Sequence, residues 1–148
     1  DWRILVAIPS VPPGASGTRE ADIFRQYCPV PLGEVRELCH EVLMRMLPAL
    51  VEHDLDRFGS SINAVQTLGF KKIELSLQPP QINELLDVMR SAGAAGAGMS
   101  SFGPALYAFC DTNVPAVKVA ADAFMNEWCG GTAFITSARN RGAAVRIA

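Results

Sequence analysis

One stretch of this sequence has the residue types that bind phosphate. It runs from 93 to 104 and reads Gly-Ala-Ala-Gly-Ala-Gly-Met-Ser-Ser-Phe-Gly-Pro. Glycines leave the main chain bare, so successive N–H groups can form a nest for an anion, and serine hydroxyls add donors. A phosphate or pyrophosphate site is therefore predicted at Gly96, Gly98, Ser100, Ser101 and Gly103. The alternative is a hairpin whose glycines let a helix pack close, because the spacing matches neither the dinucleotide fingerprint nor a Walker loop.

Basic residues supply a second candidate group. Arg139 and Arg141 carry the planar guanidinium that clamps phosphates and carboxylates with two parallel hydrogen bonds. A solvated basic tail is the alternative for this pair. The run Lys71-Lys72 is too short to indicate more than a solvated edge.

Metal chemistry is not predicted from these residues. His40 and His53 have no cysteine or carboxylate at ligand spacing, and the four cysteines stand far apart without a Cys-x-x-Cys pair. Reduced thiols in a cytosol are the simplest interpretation, so we expect a cytoplasmic protein.

Strands and helices must position these candidates. Apolar runs predict strands at 4–8, 105–110 and 132–136, an edge strand or extended connection at 71–77, and a further edge at 145–147. Helices are predicted at 20–26, 32–47, 54–68, from Pro79-Pro80 and from about Pro115, with Asp54 and Asn113 as N-caps.

The helix at 32–47 has the clearest apolar stripe, opposite charged residues that include Glu41. The stripe consists of Val35, Leu38, Cys39, Val42, Leu43, Met46 and Leu47.

The order of elements reduces to β-α-β-β-α-β, the arrangement of ferredoxin-like sandwiches. We therefore predict an α+β fold with a mostly antiparallel sheet and helices on one face, as a single domain over residues 1–148. The sequence begins inside an apolar run without an initiator Met. This favours the C-terminal half of a longer two-domain protein.

Composition excludes several functional classes. The 148 residues include 13 Lys+Arg and 15 Asp+Glu, a net charge of −2, with 49% apolar and 19% charged residues. That is too apolar for a disordered chain, and there is no basic excess for nucleic-acid binding. No apolar run reaches the roughly 18 residues of a membrane span. We expect a small phosphorylated substrate, with neither nucleic acid nor membrane as a partner.

The segment from Gly96 to Pro104 resembles the third glycine-rich motif of the GHMP superfamily, which includes galactokinase and homoserine, mevalonate and phosphomevalonate kinases. Those kinases usually carry a run closer to T-G-A-G-G-G-G. The S-S-F-G-P form is instead similar to the beta-ribofuranosylaminobenzene 5'-phosphate synthase family of methanopterin biosynthesis. Further matches to that family lie at 17–24, at 28–31 with the helix that follows, at 68–72 and at 139–143.

The resemblance implies a GHMP kinase C-terminal type of domain whose missing N-terminal half carries another phosphate loop. It implies a reaction that joins the ribose C1 of phosphoribosyl pyrophosphate to the ring of 4-hydroxybenzoate or 4-aminobenzoate, releasing CO2 and pyrophosphate, with Mg2+ on the pyrophosphate. It also implies that Arg139 and Arg141 clamp a phosphate or the benzoate carboxylate. Glu20 would hold a metal or a ribose hydroxyl, with an ordinary surface carboxylate as the alternative. No catalytic residue is assigned.

Two other functions stay open at this point. One is an ATP-dependent small-molecule kinase of the same superfamily, which would use the same nest near a nucleotide. The other is a non-catalytic ligand-binding or dimerising module. A homodimer also stays open, because a fragment that exposes a former domain interface can associate through that apolar surface.

Overall fold

The strands described within residues 2–145 form one antiparallel sheet. A computed structural model describes residues 2–145 and contains strands β1 (Arg3–Pro9), β2 (Gly96–Met99), β3 (Leu106–Cys110) and β4 (Gly131–Thr136). They form an antiparallel sheet in the order β2-β3-β1-β4. This is a ferredoxin-like sandwich, and the predicted α+β fold class is confirmed.

One face of the sheet is covered by α6 (Pro80–Ser91) and α7 (Val114–Trp128). Alternate residues of β1 and β3 point towards these helices and are fully buried, because side chains along a strand alternate between faces. They are Leu5, Ala7, Leu106, Ala108 and Cys110. This layer forms the main hydrophobic core.

The other face is covered over its β2–β3 half by α4 (Leu55–Val65). Phe58 of α4 lies with its ring centroid 5.0 Å from those of Trp2 and Phe109, which project from this side of the sheet. Ile62, one turn later, joins the same cluster. The prediction that the helices cover one face of the sheet thus holds for α6 and α7. The helix α4 covers part of the other face.

The longest helical stretch runs from residue 32 to residue 51. It comprises α2 (Leu32–His40), a π-helical segment (Glu41–Met46) and α3 (Leu47–Val51). A wider π turn thus interrupts the α-helical period in the middle of this stretch. None of the helices described within residues 2–145 is both long and apolar enough to cross a membrane.

The orientation of this helix differs from the prediction. Glu41, expected on the outer side, is buried at 6% exposure, whereas part of the apolar stripe is exposed. The exposed members are Val35, Cys39, Leu43 and Leu47. The reason is that contact with α4 is made by Met46 and Ala49, on the opposite side of the helix.

The predicted edge strand or extended connection at 71–77 is wrong, since residues 71–76 belong to α5 (Gly69–Ser76). Gly69 has a φ of +54° and donates its N–H to Glu34 Oε2 at 2.9 Å. This carboxylate binds an otherwise free amide at the start of α5. It comes from α2, so the local sequence pattern carries no sign of it.

Two smaller outcomes concern caps and the chain end. Asp54 accepts a hydrogen bond from the Arg57 N–H at 2.9 Å and is confirmed as an N-cap. Asn113 makes no side-chain cap, because its amide donates instead to the carbonyl of Gly93. Val145 belongs to no strand, and residues 146–148 lie outside the described residues.

Candidate functional site

Gly96 lies where α4 makes its closest approach to β2. A Cβ atom on Gly96 would lie 2.3 Å from Gly59 O and 2.6 Å from Gly59 Cα, and a Cβ on Gly59 would lie 2.3 Å from the carbonyl carbon of Ala95. These neighbours are backbone atoms, which cannot swing aside as a side chain can. The two glycines therefore let a helix backbone rest directly on a strand.

Side chains of α4 bind the outer edge of β2. Asn63 Oδ1 accepts from the Ala97 N–H at 3.0 Å, and Asn63 Nδ2 donates to Ala95 O at 3.3 Å. Gln66 Oε1 accepts from the Met99 N–H at 3.0 Å. The helix thus satisfies the edge amides that a further strand would otherwise satisfy.

This pairing distinguishes the two interpretations of the glycine-rich segment. Residues 96–99 are buried throughout, and their other edge pairs with β3. An open amide nest at Gly96 and Gly98 is therefore excluded. The alternative, in which glycines let a helix pack close, holds at Gly96, where the neighbour is the backbone of Gly59; at Gly98 the neighbours are the Gln66 side chain and the Tyr107 hydroxyl.

The loop that follows β2 is exposed but tightly held. Ser100 donates its N–H to Ala105 O at 2.9 Å, and Gly103 donates its N–H to Ser100 O at 2.8 Å. Ser101 and Gly103 have φ values of +46° and +72°, in the left-handed region. Ser100 and Ser101 are both exposed. Two adjacent hydroxyls are thus presented to solvent from a fixed backbone.

Lys71 of α5 holds this loop in place. Its Nζ donates to Met99 O at 3.1 Å and to Ser101 O at 3.2 Å, and it pairs with Glu74. The Lys71 side chain is only 20% exposed. The ammonium is therefore a fixed charge beside the serines, and the predicted solvated edge is wrong for Lys71.

Three phenylalanines lie together beside the same loop. Phe24 of α1 (Thr18–Tyr27) stacks on Phe70 with ring centroids 4.4 Å apart. Phe102 meets these two rings edge-on at 6.1 and 5.9 Å. Gln78 Nε2 donates to Phe102 O at 2.8 Å. The cluster therefore holds α1, α5 and the loop of residues 100–104, which we name the serine loop, together. Edge-on contacts between aromatic rings are favourable.

Glu20 lies at the same end of the sheet as the serine loop. It is in the first turn of α1, four residues before Phe24, so the two side chains share one side of the helix. Phe24 in turn contacts Phe102. Glu20 is therefore one helical turn from a ring that contacts Phe102, the residue after Ser101.

Arg139 and Arg141 lie at the opposite end of the sheet. They follow Thr136, which pairs with Ile4 near the start of β1, whereas the serine loop is at the end of β1 near Ala7. Both arginines are exposed. The structure therefore does not bring them together with Ser100 and Ser101 within the described residues.

A groove of about 1000 Å³ lies at this second end. Its lining includes Trp2, His53 and Asn140, the residue between the two arginines. An indole, an imidazole and an amide make the surface partly apolar and partly polar. The arginines thus flank a groove that is separate from the serine loop.

Lys72 and Glu34 fix the start of α5. Lys72 Nζ lies 2.8 Å from Glu34 Oε1, and the Gly69 N–H binds the other carboxylate oxygen. These hydrogen bonds lower the pKa of Glu34, the one from Lys72 most strongly. The two neighbouring lysines therefore have different roles: Lys72 anchors the helix and Lys71 anchors the loop.

Strand β3 offers no activated nucleophile. Burial raises the pKa of the Cys110 thiol to about 11, so it is protonated at neutral pH and is a poor nucleophile. Burial also raises the pKa of Tyr107, which contact with the Gln66 side chain partly offsets. Both residues belong to the packed part of the sheet.

The carboxylates described here do not by themselves form a magnesium site. Within residues 2–145 no three His, Cys, Asp or Glu side chains lie close enough together to hold a metal ion. Mg2+ takes an octahedral set of oxygen ligands, several of them from protein, substrate or water. The described residues therefore do not enclose Mg2+ by themselves, and the Mg2+ that the resemblance implies would take part of its ligands from substrate phosphates and water.

The residues that fix the site were missed from the sequence. They are Asn63, Gln66, Lys71 and Gln78. One signal was available: Asn63 and Gln66 are polar residues three apart on the side of α4 that also carries Ile62 and Gly59. Their partner strand lies more than 30 residues away, so the spacing alone does not identify it.

Comparison with known proteins agrees with the fold and the motif. A family model described as GHMP kinases C terminal matches residues 46–127, more than half of the chain. A solved homoserine kinase from Cytophaga hutchinsonii is similar with a TM-score of 0.72 at 18% identity, covering 92% of this chain and 41% of that one. At that identity the likeness shows the fold.

Two curated relatives carry the name beta-ribofuranosylphenol 5'-phosphate synthase. The protein of Methanothermobacter thermautotrophicus is 48% identical over 143 residues, covering 97% of this chain and 43% of the relative. The protein of Methanocaldococcus jannaschii is 46% identical over 142 residues, covering 96% of this chain and 42% of the relative. The chain thus spans less than half the length of these relatives. The resemblance to the synthase family is confirmed, and by its fold and its family match the chain belongs to the GHMP kinase C-terminal family.

Proposed function

We propose that this chain is the C-terminal half of a methanopterin-pathway enzyme that forms a ribofuranosyl-arene 5'-phosphate. The substrates are phosphoribosyl pyrophosphate and 4-hydroxybenzoate or 4-aminobenzoate. The observation that carries the proposal is the 48% identity over 97% of the chain with a relative named beta-ribofuranosylphenol 5'-phosphate synthase. The phenol in that name favours 4-hydroxybenzoate, because loss of its carboxyl group leaves a phenol.

The proposed reaction balances without an oxidant or reductant. The bond between ribose C1 and oxygen breaks with its electron pair on pyrophosphate and leaves an oxocarbenium-like carbon. The ring carbon that bears the carboxylate attacks C1. The bond to the carboxylate then breaks, its electrons restore the aromatic ring, and CO2 departs. Such a path needs donors for the phosphate oxygens and a pocket that excludes water.

The serine loop is the part of this chain best suited to hold the phosphate groups. Ser100 and Ser101 present hydroxyl donors from a backbone held by Lys71. Preorganised hydroxyls stabilise an anion without reorganising when it binds. We assign phosphate contact to the two serines and a shaping role to Gly96, Gly98 and Gly103.

Roles for the remaining candidates follow from their positions. Glu20, at the same end as the serines, is proposed to bind a ribose hydroxyl or to supply one carboxylate ligand to a metal. Arg139 and Arg141, at the other end, are proposed to clamp a carboxylate or phosphate there. No step is assigned to Mg2+.

The test uses the full-length polypeptide that carries this chain. It is incubated with phosphoribosyl pyrophosphate and carboxyl-labelled 4-hydroxybenzoate, with 4-aminobenzoate in a parallel reaction. We expect labelled CO2 and pyrophosphate in equal amounts. Consumption of ATP with an alcohol substrate and no CO2 would replace the proposal with the kinase alternative. Binding of phosphoribosyl pyrophosphate or ATP without turnover would replace it with a non-catalytic module.

A further inference from the structure

The helix from residue 32 to residue 51 carries an apolar row on its outer side. We name it the outer stripe; its members are Leu32, Val35, Cys39, Leu43, Leu47 and Val51, at three- and four-residue steps. Leu32 is 62% exposed, Leu43 58% and Val51 78%. These values are those of side chains that lie in water rather than in a core.

The outer stripe points away from the core of this chain. The opposite side of the same helix contains Glu41 and Ala49, which are 6% and 0% exposed, and Met46, which packs on Phe58. No rearrangement of a side chain on the outer face would therefore bury the stripe within its own domain. Burial requires a partner on the far side of the helix.

The concentration of apolar residues there is unusual. Of the 15 large apolar side chains exposed within residues 2–145, seven lie on this 20-residue stretch, and five of the seven belong to the outer stripe. Scattered exposed apolar residues are normal, whereas a contiguous row of them marks an interaction surface. Its three- and four-residue steps are also those of a helix that packs against another element.

We propose that the outer stripe is the surface on which the upstream half of the same polypeptide packs. The matched relatives are more than twice as long as the part this chain covers, so most of their length is available to form such a partner. A domain joined covalently is present at an effective concentration of about millimolar, which places it on the stripe ahead of a second copy. The proposal rests on the two-domain part of the proposed function and is independent of the reaction.

The first test compares two charge substitutions in the full-length polypeptide. Leu43→Glu places a carboxylate on the outer stripe, whereas Val119→Glu places one on α7 at a similarly exposed position, 69% against 58%. We expect Leu43→Glu to lower the apparent Tm by roughly 5 °C or more, because the charge enters a buried contact, and Val119→Glu to leave it unchanged. Equal, small effects of the two substitutions would overturn the proposal.

The second test needs no variant and no substrate. Cys39 lies in the middle of the outer stripe and is exposed in this chain. In native full-length polypeptide we expect maleimide to label Cys39 at least about tenfold more slowly than in the unfolded polypeptide. Labelling at the unfolded rate would overturn the proposal.

A dilution series separates the upstream half from a second copy. Protection of Cys39 by the upstream half is independent of protein concentration. Protection that disappears when a dimer dissociates on dilution would overturn the proposal in favour of self-association. Failure of the synthase assay with Cys39 protected would count against the reaction alone, and an active enzyme with Cys39 unprotected would count against the interface alone.

Discussion

The two halves of the glycine-rich segment both contain glycine, but their exposure to solvent differs. Residues 96–99 form a buried strand whose outward amides are bound by Asn63 and Gln66. Residues 100–104 form a loop that exposes Ser100 and Ser101 and whose carbonyls are bound by Lys71 and Gln78. In both halves glycine lets another group come close to the backbone. The group is the α4 backbone at Gly96 and the Met99 side chain at Gly103. Where the amides already have protein partners, the approaching group is a helix and not a ligand.

The largest effect is expected where the first half is packed most tightly. Gly96→Ala places a methyl group 2.3 Å from Gly59 O, so α4 must move away from β2. We expect a loss of about 2 kcal/mol or more in unfolding free energy, measured by urea denaturation. Gly33→Ala is the control, because no atom lies within 4 Å of its Cβ position. Equal stability of the two variants would contradict the packing role of Gly96.

The hydrogen bond at the β2 edge comes next. Gln66→Ala leaves the buried Met99 N–H without its acceptor, and we expect a loss of about 1–2 kcal/mol in unfolding free energy. Asn83→Ala, at an exposed position on α6, serves as the control. If Gln66→Ala leaves the unfolding free energy unchanged, water has replaced the side-chain amide, and the outer edge of β2 is accessible to solvent.

The exposed half is tested through activity. Ser101→Ala removes a hydroxyl from the held loop without disturbing a buried group, so we expect a loss of at least tenfold in kcat/KM, about 1.4 kcal/mol, with unchanged stability. Ser91→Ala, exposed at the end of α6, is the matched control. If Ser101→Ala has the kcat/KM of the wild type, the loop does not contact a phosphate of the substrate through this hydroxyl.

Arg139→Ala tests whether the other end of the sheet also binds an anionic group of the substrate. We also expect at least a tenfold loss in kcat/KM, about 1.4 kcal/mol, because the guanidinium would no longer clamp its anion. Arg25→Ala, an exposed arginine on α1, is the control. If both variants are fully active, the segment around Arg139 is solvated and does not bind substrate. The serine loop would then be the part of this chain that contacts the substrate.

The smallest effect concerns pH. The pKa of Cys110 is raised to about 11 in the folded protein against an ordinary value of 9.0, so the unfolded chain releases this proton first as pH rises. Stability is therefore unaffected below pH 9 and falls between about pH 9 and 11, by about 1 kcal/mol near pH 10. Thermal unfolding of wild type and Cys110→Ala over this range measures the difference. A decline of the same size in both would assign it to another group, such as Tyr107.

The sequence predicted those elements whose signals are local. The strands β1, β3 and β4, the Asp54 cap and the helix that starts at Pro80 follow from apolar runs, a capping residue and proline positions. The S-S-F-G-P motif identified the synthase family, which the curated relatives confirm. Elements that depend on distant partners were missed. Residues 69–76 form a helix partly because Glu34 binds the Gly69 N–H, and no window around residue 71 contains that information.

The sequence by itself thus determined the fold class, the family and the presence of a tight glycine-rich turn, because periodicity and motif spacing are properties of neighbouring residues. The tertiary structure alone showed that Gly96 faces a helix, that Lys71 supports the serine loop, and that Arg139 lies at the other end of the sheet. It also revealed that part of the most regular apolar stripe of the sequence faces outward, namely Val35, Cys39, Leu43 and Leu47. An apolar stripe in a sequence predicts that one face of a helix is buried. Only the packing of the whole chain shows whether the core of the same domain buries that face.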